Sequence, residues 1–338
     1  MKACLFSGVE QMEVKEVDRP ARAENEVTIE VARAGLCGTD LHVYLGDMAH
    51  RVTPPRILGH EMVGAIVEAP EEGDFREGDR VVVEPTVFCG RCAACRRGHT
   101  HVCQNLNFMG VDSTGAFANY WNVPQDRLHK VPDTLDDVAG ALIEPLAVAV
   151  HDVRRAQVEV GDRAVVIGGG PIGLLVAIAA RLDGADVIIS EVNPFRIGVA
   201  ESCGFDTVNP SETNLVDHVN EWTDGAAADL VFEVSGHPAG AEVMTEIVRV
   251  RGTIALVGVH AEPVPVNLQQ FFARELHLTG CRVYESIDFE RAIRIAEADH
   301  VPVDKIVTNV TPMEEIGWGF EQMKNGRDVM KVMIDCQS

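Results

Sequence analysis

No stretch of these 338 residues approaches the ~20 uninterrupted apolar residues that a membrane span requires. Positive charge is scarce as well. Only 29 Lys and Arg stand against 52 Asp and Glu, the formal net charge is −23, and just six of the cations are lysines. No basic run gathers them, and binding a phosphate backbone needs such a patch, so nucleic acid is excluded as a partner and nothing points to a membrane. The opening Met1-Lys2-Ala3-Cys4-Leu5 enters a strand-like run without the apolar core of a secretory signal, and a cytoplasmic location is the expectation. No internal repeat is apparent. The nine cysteines are unevenly placed: four lie between 89 and 103, while Cys4, Cys37, Cys203, Cys281 and Cys336 are dispersed. Without a secretory signal, clustering of that kind points to metal rather than to disulfides.

The length suits two domains with ample apolar residues for two cores. Residues 1 to about 85 read as short strands broken by turns: 27–31 alternates, 68–79 is loop-like, and 80–83 resumes a strand. That is an all-β beginning, expected to be a partly closed barrel. Residues 86–105 lack periodicity, so their order must come from something other than a core. Residues 137–156 look helical. From Ala164 the pattern becomes a β-branched strand followed by an amphipathic helix, at 164–167 with 172–182 and at 186–190 with 194–203, then further strands at 230–233 and 253–257. Strand alternating with helix at that spacing predicts a parallel, doubly wound sheet. After about Gly280 mixed elements return, so the nucleotide domain is expected to be inserted into an interrupted first domain.

Gly168-Gly169-Gly170-Pro171-Ile172-Gly173 fits the G-x-G-x-x-G pattern, and it follows a strand and opens a helix, the context that pattern needs. Gly168 permits the tight turn, Gly170 lets the backbone approach a pyrophosphate, and Gly173 lets helix and strand pack closely. Pro171 and Ile172 open the helix, whose N-terminus offers free N–H groups and a favourable dipole. Glu191 ends the next strand, where an acid accepts the adenosine ribose hydroxyls and repels a 2′-phosphate. NAD rather than NADP is therefore expected, with Arg196 nearby as the group that could still meet a phosphate.

Cys89-x₂-Cys92-x₂-Cys95-x₇-Cys103 can surround one Zn²⁺ tetrahedrally with no open position, a structural rather than a catalytic site. An iron–sulfur cluster is the alternative for four such thiolates. Gly35-Leu36-Cys37-Gly38-Thr39-Asp40-Leu41-His42, Gly59-His60-Glu61 and Glu144 remain. One Cys, one His and one or two carboxylates form a mixed soft and hard set typical of zinc that keeps a substrate position. Glu144, set in an apolar run, is costly to bury unless a cation or donor meets it.

These motifs, in this order along the whole chain and with the closing Lys331-Val332 strand, resemble the zinc-containing medium-chain dehydrogenase/reductase superfamily. The resemblance is to the branch of sorbitol and other polyol dehydrogenases and threonine 3-dehydrogenase. It implies an α/β fold in which a Rossmann doubly wound parallel sheet is inserted into a GroES-like β-barrel catalytic domain with a structural zinc lobe. The expected divisions are 1–146 (lobe 86–105), 147–282 and 283–338, with an active-site cleft between the domains. It implies two Zn²⁺ per chain and NAD. Cys37 and His60 would bind the catalytic zinc, with Glu61 beside or on it and Glu144 bound directly or through water. Thr39 would carry the substrate proton outward to His42 as hydride passes to the nicotinamide. A secondary alcohol of a polyol, sugar derivative or cyclitol would become a ketone, in a homotetramer or homodimer. L-Threonine is the alternative substrate, although Thr86 stands where threonine dehydrogenases place a histidine. A zinc-free quinone reductase should lack Cys37, His60 and the cysteine lobe, and a non-enzymatic zinc module would leave Gly168–Gly173 and Glu191 idle.

Overall fold

The computed structural model describes residues 1–326 and 328–338. The chain folds as two units: Met1–Glu144 joined by Glu285–Ser338, and Pro145–Tyr284 between them. Among the described residues no helix is long and apolar enough to cross a membrane.

In the first unit the main sheet runs Leu128–Lys130, Arg80–Val83, Glu61–Glu68, Glu26–Gly35, Lys331–Asp335, Val307–Pro312, and Tyr120–Pro124 also pairs with Glu26–Gly35. The long strand Glu26–Gly35 is the organising element because apolar side chains line much of it. Val27, Ile29 and Val31 are fully buried and anchor neighbours on both edges. Its register decides the chemistry of this unit: Gly35 lies opposite Glu61 on one side and Met333 on the other, so residues distant in sequence reach one point.

The reading of residues 1 to about 85 as all-β needs a correction. Gly38–Tyr44 is an α-helix. Apart from Leu41 its residues are weak helix formers, and the cap organises it. The Cys37 side chain accepts from the Thr39 N–H at 3.5 Å, while the Asp40 carboxylate accepts from the Cys37 N–H at 3.1 Å. This is a capping box with a thiol in the usual hydroxyl position.

The helix expected over 137–156 divides at Leu142 into Asp137–Ala141 and Ile143–Ala156. Pro145 explains the break: it has no N–H to donate to the Ala141 carbonyl, but a proline is tolerated in the first turn of a new helix.

In the second unit six parallel strands lie in the order Asp206–Val208, Asp186–Ser190, Arg163–Ile167, Ala228–Glu233, Val248–Leu256, His277–Gly280. The two halves diverge between Arg163–Ile167 and Ala228–Glu233, the topological switch point of a doubly wound sheet. Val165, Ile188, Val231 and Ile254 pack with Val219 and Met244 of the covering helices, as expected of strands shielded on both faces.

Candidate functional site

Cys37, His60 and Glu61 converge in the first unit, with one ligating atom from each lying within 4.8 Å of the others. Cys37 sits at the N-cap of Gly38–Tyr44, and His60 immediately precedes the strand Glu61–Glu68. The His60 ring meets Phe108 edge-on at 5.0 Å and is 2 % exposed. Its Nδ1 stands 3.6 Å from Oδ1 of the fully buried Asp40, and neither atom has a hydrogen-bond partner.

Two residues of this site carried no role in the sequence reading. Asp40 faces the far side of the His60 ring, where a metal-bound imidazole usually finds a carboxylate. Cys37-x-x-Asp40 has the spacing of a capping box and could have marked it. Lys331, 3 % exposed, forms an ion pair with Glu61 and donates to the Leu36 carbonyl at 2.9 Å. A β-carbon on Gly35 would fall on the Glu61 carboxylate and come within 3.1 Å of Lys331 Cε, so only glycine leaves room for the pair. No local signal in the sequence joins Lys331 to Glu61; the register of the sheet does.

The electrostatics are those of a cation site. Burial alone would depress both His60 and Lys331. The Asp40 and Cys37 charges at His60, and the Glu61 and Cys37 charges at Lys331, overcome it and hold both above their ordinary values, with Glu144 adding to each. Burial pushes Asp40 up to about 6, although the His60 charge opposes it. Glu144, 4 % exposed on the first turn of Ile143–Ala156, therefore acts on this cluster through its charge, while the three converging ligand atoms belong to Cys37, His60 and Glu61. Thr39 and His42 occupy successive turns of Gly38–Tyr44. His42 is exposed, and its Nδ1 pairs with Asp47 at 2.9 Å.

Cys89, Cys92, Cys95 and Cys103 form a second cluster, also within 4.8 Å, and none of the four is in a disulfide. The Cys92 sulfur lies 3.4 Å from that of Cys95 and 3.8 Å from that of Cys103. Zn–S bonds of about 2.3 Å in a tetrahedron give sulfur separations of about 3.8 Å, so the set fits the ion. Backbone N–H groups support negative sulfur here. Those of Arg91 and Cys92 draw Cys89 down to about 6, and those of Cys95 and Gln104 lower Cys92, while burial pushes Cys95 up to about 12.

In the second unit the glycine turn follows Arg163–Ile167, and Gly170 caps Pro171–Leu182 with Pro171 at the first helical position. Gly168 has φ +102°, and a β-carbon on Gly173 would collide with the Gly168 carbonyl. Above Gly170 the nearest atom to such a carbon is Arg196 Nη1 at 3.6 Å, so the turn is open where a pyrophosphate would approach. Ile172 belongs to the first turn of the same helix. Glu191, 6 % exposed, accepts from the Gly169 N–H at 2.7 Å, the Val192 N–H at 2.7 Å and the Asn193 N–H at 2.8 Å. Arg196 Nη1 is 4.0 Å from its carboxylate. Turn, acid and arginine thus form one polar cradle that suits a dinucleotide.

Two family models match the chain, the alcohol dehydrogenase GroES-like domain over residues 23–133 and the zinc-binding dehydrogenase over residues 171–298. A 2-dehydro-3-deoxy-L-galactonate 5-dehydrogenase of Pseudoalteromonas atlantica is 42% identical, over 100% of this chain and 99% of its own. An L-threonine 3-dehydrogenase of Pyrococcus horikoshii is 36% identical, over 93% of this chain and 92% of its own. The crystal structure of galactitol-1-phosphate dehydrogenase from Escherichia coli superposes with a TM-score of 0.93 at 26% identity, covering 99% of this chain and 100% of that one. The chain belongs to the zinc-binding alcohol dehydrogenase family of the medium-chain dehydrogenase/reductase superfamily.

Proposed function

We propose that this chain is a zinc- and NAD-dependent dehydrogenase that oxidises a secondary alcohol of a sugar acid, polyol or cyclitol to the ketone. The observation that carries the reading is the convergence of a thiol, an imidazole and a carboxylate at Cys37, His60 and Glu61, in a chain whose second unit holds a dinucleotide turn. Cys37 and His60 would hold the catalytic ion, with Glu61 or Glu144 as the carboxylate, and Cys89, Cys92, Cys95 and Cys103 a structural one. When bound, zinc supplies Lewis acidity that eases loss of the alcohol proton, and the dinucleotide accepts hydride.

The protein's own residues do the rest. The Asp40 carboxylate, 3.6 Å from His60 Nδ1, favours a proton on that nitrogen through its charge and so leaves Nε2 to face the ion. Lys331 holds Glu61 and limits the negative charge that gathers there. Thr39 Oγ1 would accept the substrate proton as it releases its own outward toward His42, which, exposed beside Asp47, returns a proton to water. Gly168, Gly170, Pro171, Ile172 and Gly173 seat the pyrophosphate. Glu191 and Arg196 receive the adenosine ribose, and the Glu191 carboxylate selects NAD by repelling a 2′-phosphate.

The full-length relative at 42% identity acts, by its name, on a sugar acid, and this supports the substrate class over L-threonine. Thr86 argues in the same direction: it is buried and its hydroxyl is committed to Glu84 at 2.9 Å, in the position where threonine dehydrogenases have histidine. The reading extends, through the family resemblance, to a cytoplasmic homotetramer or homodimer, which sedimentation of the purified protein tests. A screen of NAD reduction over sugar acids, polyols, cyclitols and L-threonine tests the function. Turnover of a secondary alcohol from the first three classes is expected; turnover of L-threonine alone, or of none, overturns it.

A further inference from the structure

Glu233 ends the strand Ala228–Glu233 on the far side of the switch point from Glu191, and it is fully buried. One carboxylate oxygen accepts from the Ser235 hydroxyl, the Ser235 N–H at 3.0 Å and the Gly236 N–H at 3.2 Å. The other lies 3.1 Å from Nε2 of His260, which follows the strand Val248–Leu256. The Val257 and Gly258 N–H groups bond the Glu233 carbonyl at 2.9 and 2.8 Å, and a β-carbon on Gly236 would stand 2.7 Å from the Val259 carbonyl. The loops after these two strands are therefore fixed against each other.

A carboxylate only accepts, so Nε2 carries the proton in this pair. In the tautomer with the proton on Nε2, Nδ1 is an acceptor, and here it is buried without any hydrogen-bond partner. Such an atom is costly unless a ligand or water meets it. Its place matters. In a doubly wound sheet the dinucleotide runs across the carboxyl ends of the strands, one nucleotide to each half. Glu191 occupies the adenosine half, so the loops after Ala228–Glu233 and Val248–Leu256 belong to the nicotinamide half.

We propose that His260, held by Glu233, positions the cofactor by accepting a hydrogen bond at Nδ1 from the carboxamide N–H of the nicotinamide. The proposal rests on the dinucleotide reading above and adds a side chain that recognises the reactive ring. It explains why a fully buried carboxylate is kept at this strand end beside His260: it sets the tautomer of the imidazole.

Calorimetric titration of the zinc-loaded wild type and His260→Ala with NADH, its 3-acetylpyridine analogue and ADP-ribose tests it. The analogue keeps the carbonyl but replaces the amide with a methyl group, and ADP-ribose lacks the ring. Loss of one neutral hydrogen bond should weaken NADH about threefold to tenfold in His260→Ala, while the other two ligands bind as before. Unchanged NADH binding overturns the proposal. So does an equal loss for NADH and the analogue, which would place the contact away from the amide, or an equal loss for all three, which would mean a role in folding alone. Failure of wild type to bind ADP-ribose would instead remove the dinucleotide reading itself, and this inference with it.

Discussion

Replacing Lys331 with methionine tests whether the ion pair beneath the metal site holds the first unit together. Both partners are out of water, Lys331 at 3 % and Glu61 at 1 % exposure, and the ammonium also bonds the Leu36 carbonyl at 2.9 Å. Methionine preserves most of the volume, so the loss is electrostatic rather than a cavity. Removing one partner of a buried pair leaves the other charge uncompensated and costs about 3–5 kcal/mol. The orphaned Leu36 carbonyl is contained in that figure rather than added to it. Against a domain stability of about 5–15 kcal/mol this is a large fraction. Urea unfolding of chelator-treated protein, followed by tryptophan fluorescence to which the buried Trp121 of the same unit contributes, reads the effect. The double variant Lys331→Met with Glu61→Gln removes both charges and should recover most of the loss. A single variant within about 1 kcal/mol of wild type, against the 3–5 expected for a broken buried pair, would refute the reasoning. A double variant no more stable than the single one would do the same.

Two further outcomes are expected. Glu191→Ala should weaken NAD binding and relax discrimination against NADP, because the 2′-phosphate no longer meets a carboxylate and Arg196, 4.0 Å away, loses that counter-charge. An unaltered preference in cofactor titrations counts against the ribose role. Burial pushes the Cys336 thiol from its ordinary 9.0 up to about 12. Its folded value lies above its unfolded one, so the contribution to stability is whole below pH 9.0 and is lost as pH rises toward about 12. Cys336→Ala should therefore flatten the alkaline fall in unfolding free energy, and identical slopes for the two proteins would show that the thiol is not the cause.

The doubly wound half was legible because its signals are local. β-Branched runs such as Ala164-Val165-Val166-Ile167 precede periodic helices, and each glycine of the 168–173 turn has a steric reason readable from its spacing. The cysteine lobe was legible for the same reason, since one short segment supplies all four thiols. The barrel half was read less well. Gly38–Tyr44 has little intrinsic helical preference and exists because Cys37 and Asp40 close its first turn, a contact that a search for apolar periodicity passes over. Pro145 lay in plain view, yet the apolar pattern on either side of Leu142 hid the break it imposes. Asp40 and Lys331 escaped for a deeper reason: their importance comes from facing His60 and Glu61 across the fold, and only sheet register and a helix cap bring those groups together.

Zinc content per chain tests the central claim most directly, measured by elemental analysis of the purified wild type and Cys37→Ser. The account predicts two zinc ions in the wild type and one in the variant, with the Cys89, Cys92, Cys95 and Cys103 site still filled. One ion or none in the wild type, or two retained after Cys37→Ser, would contradict it.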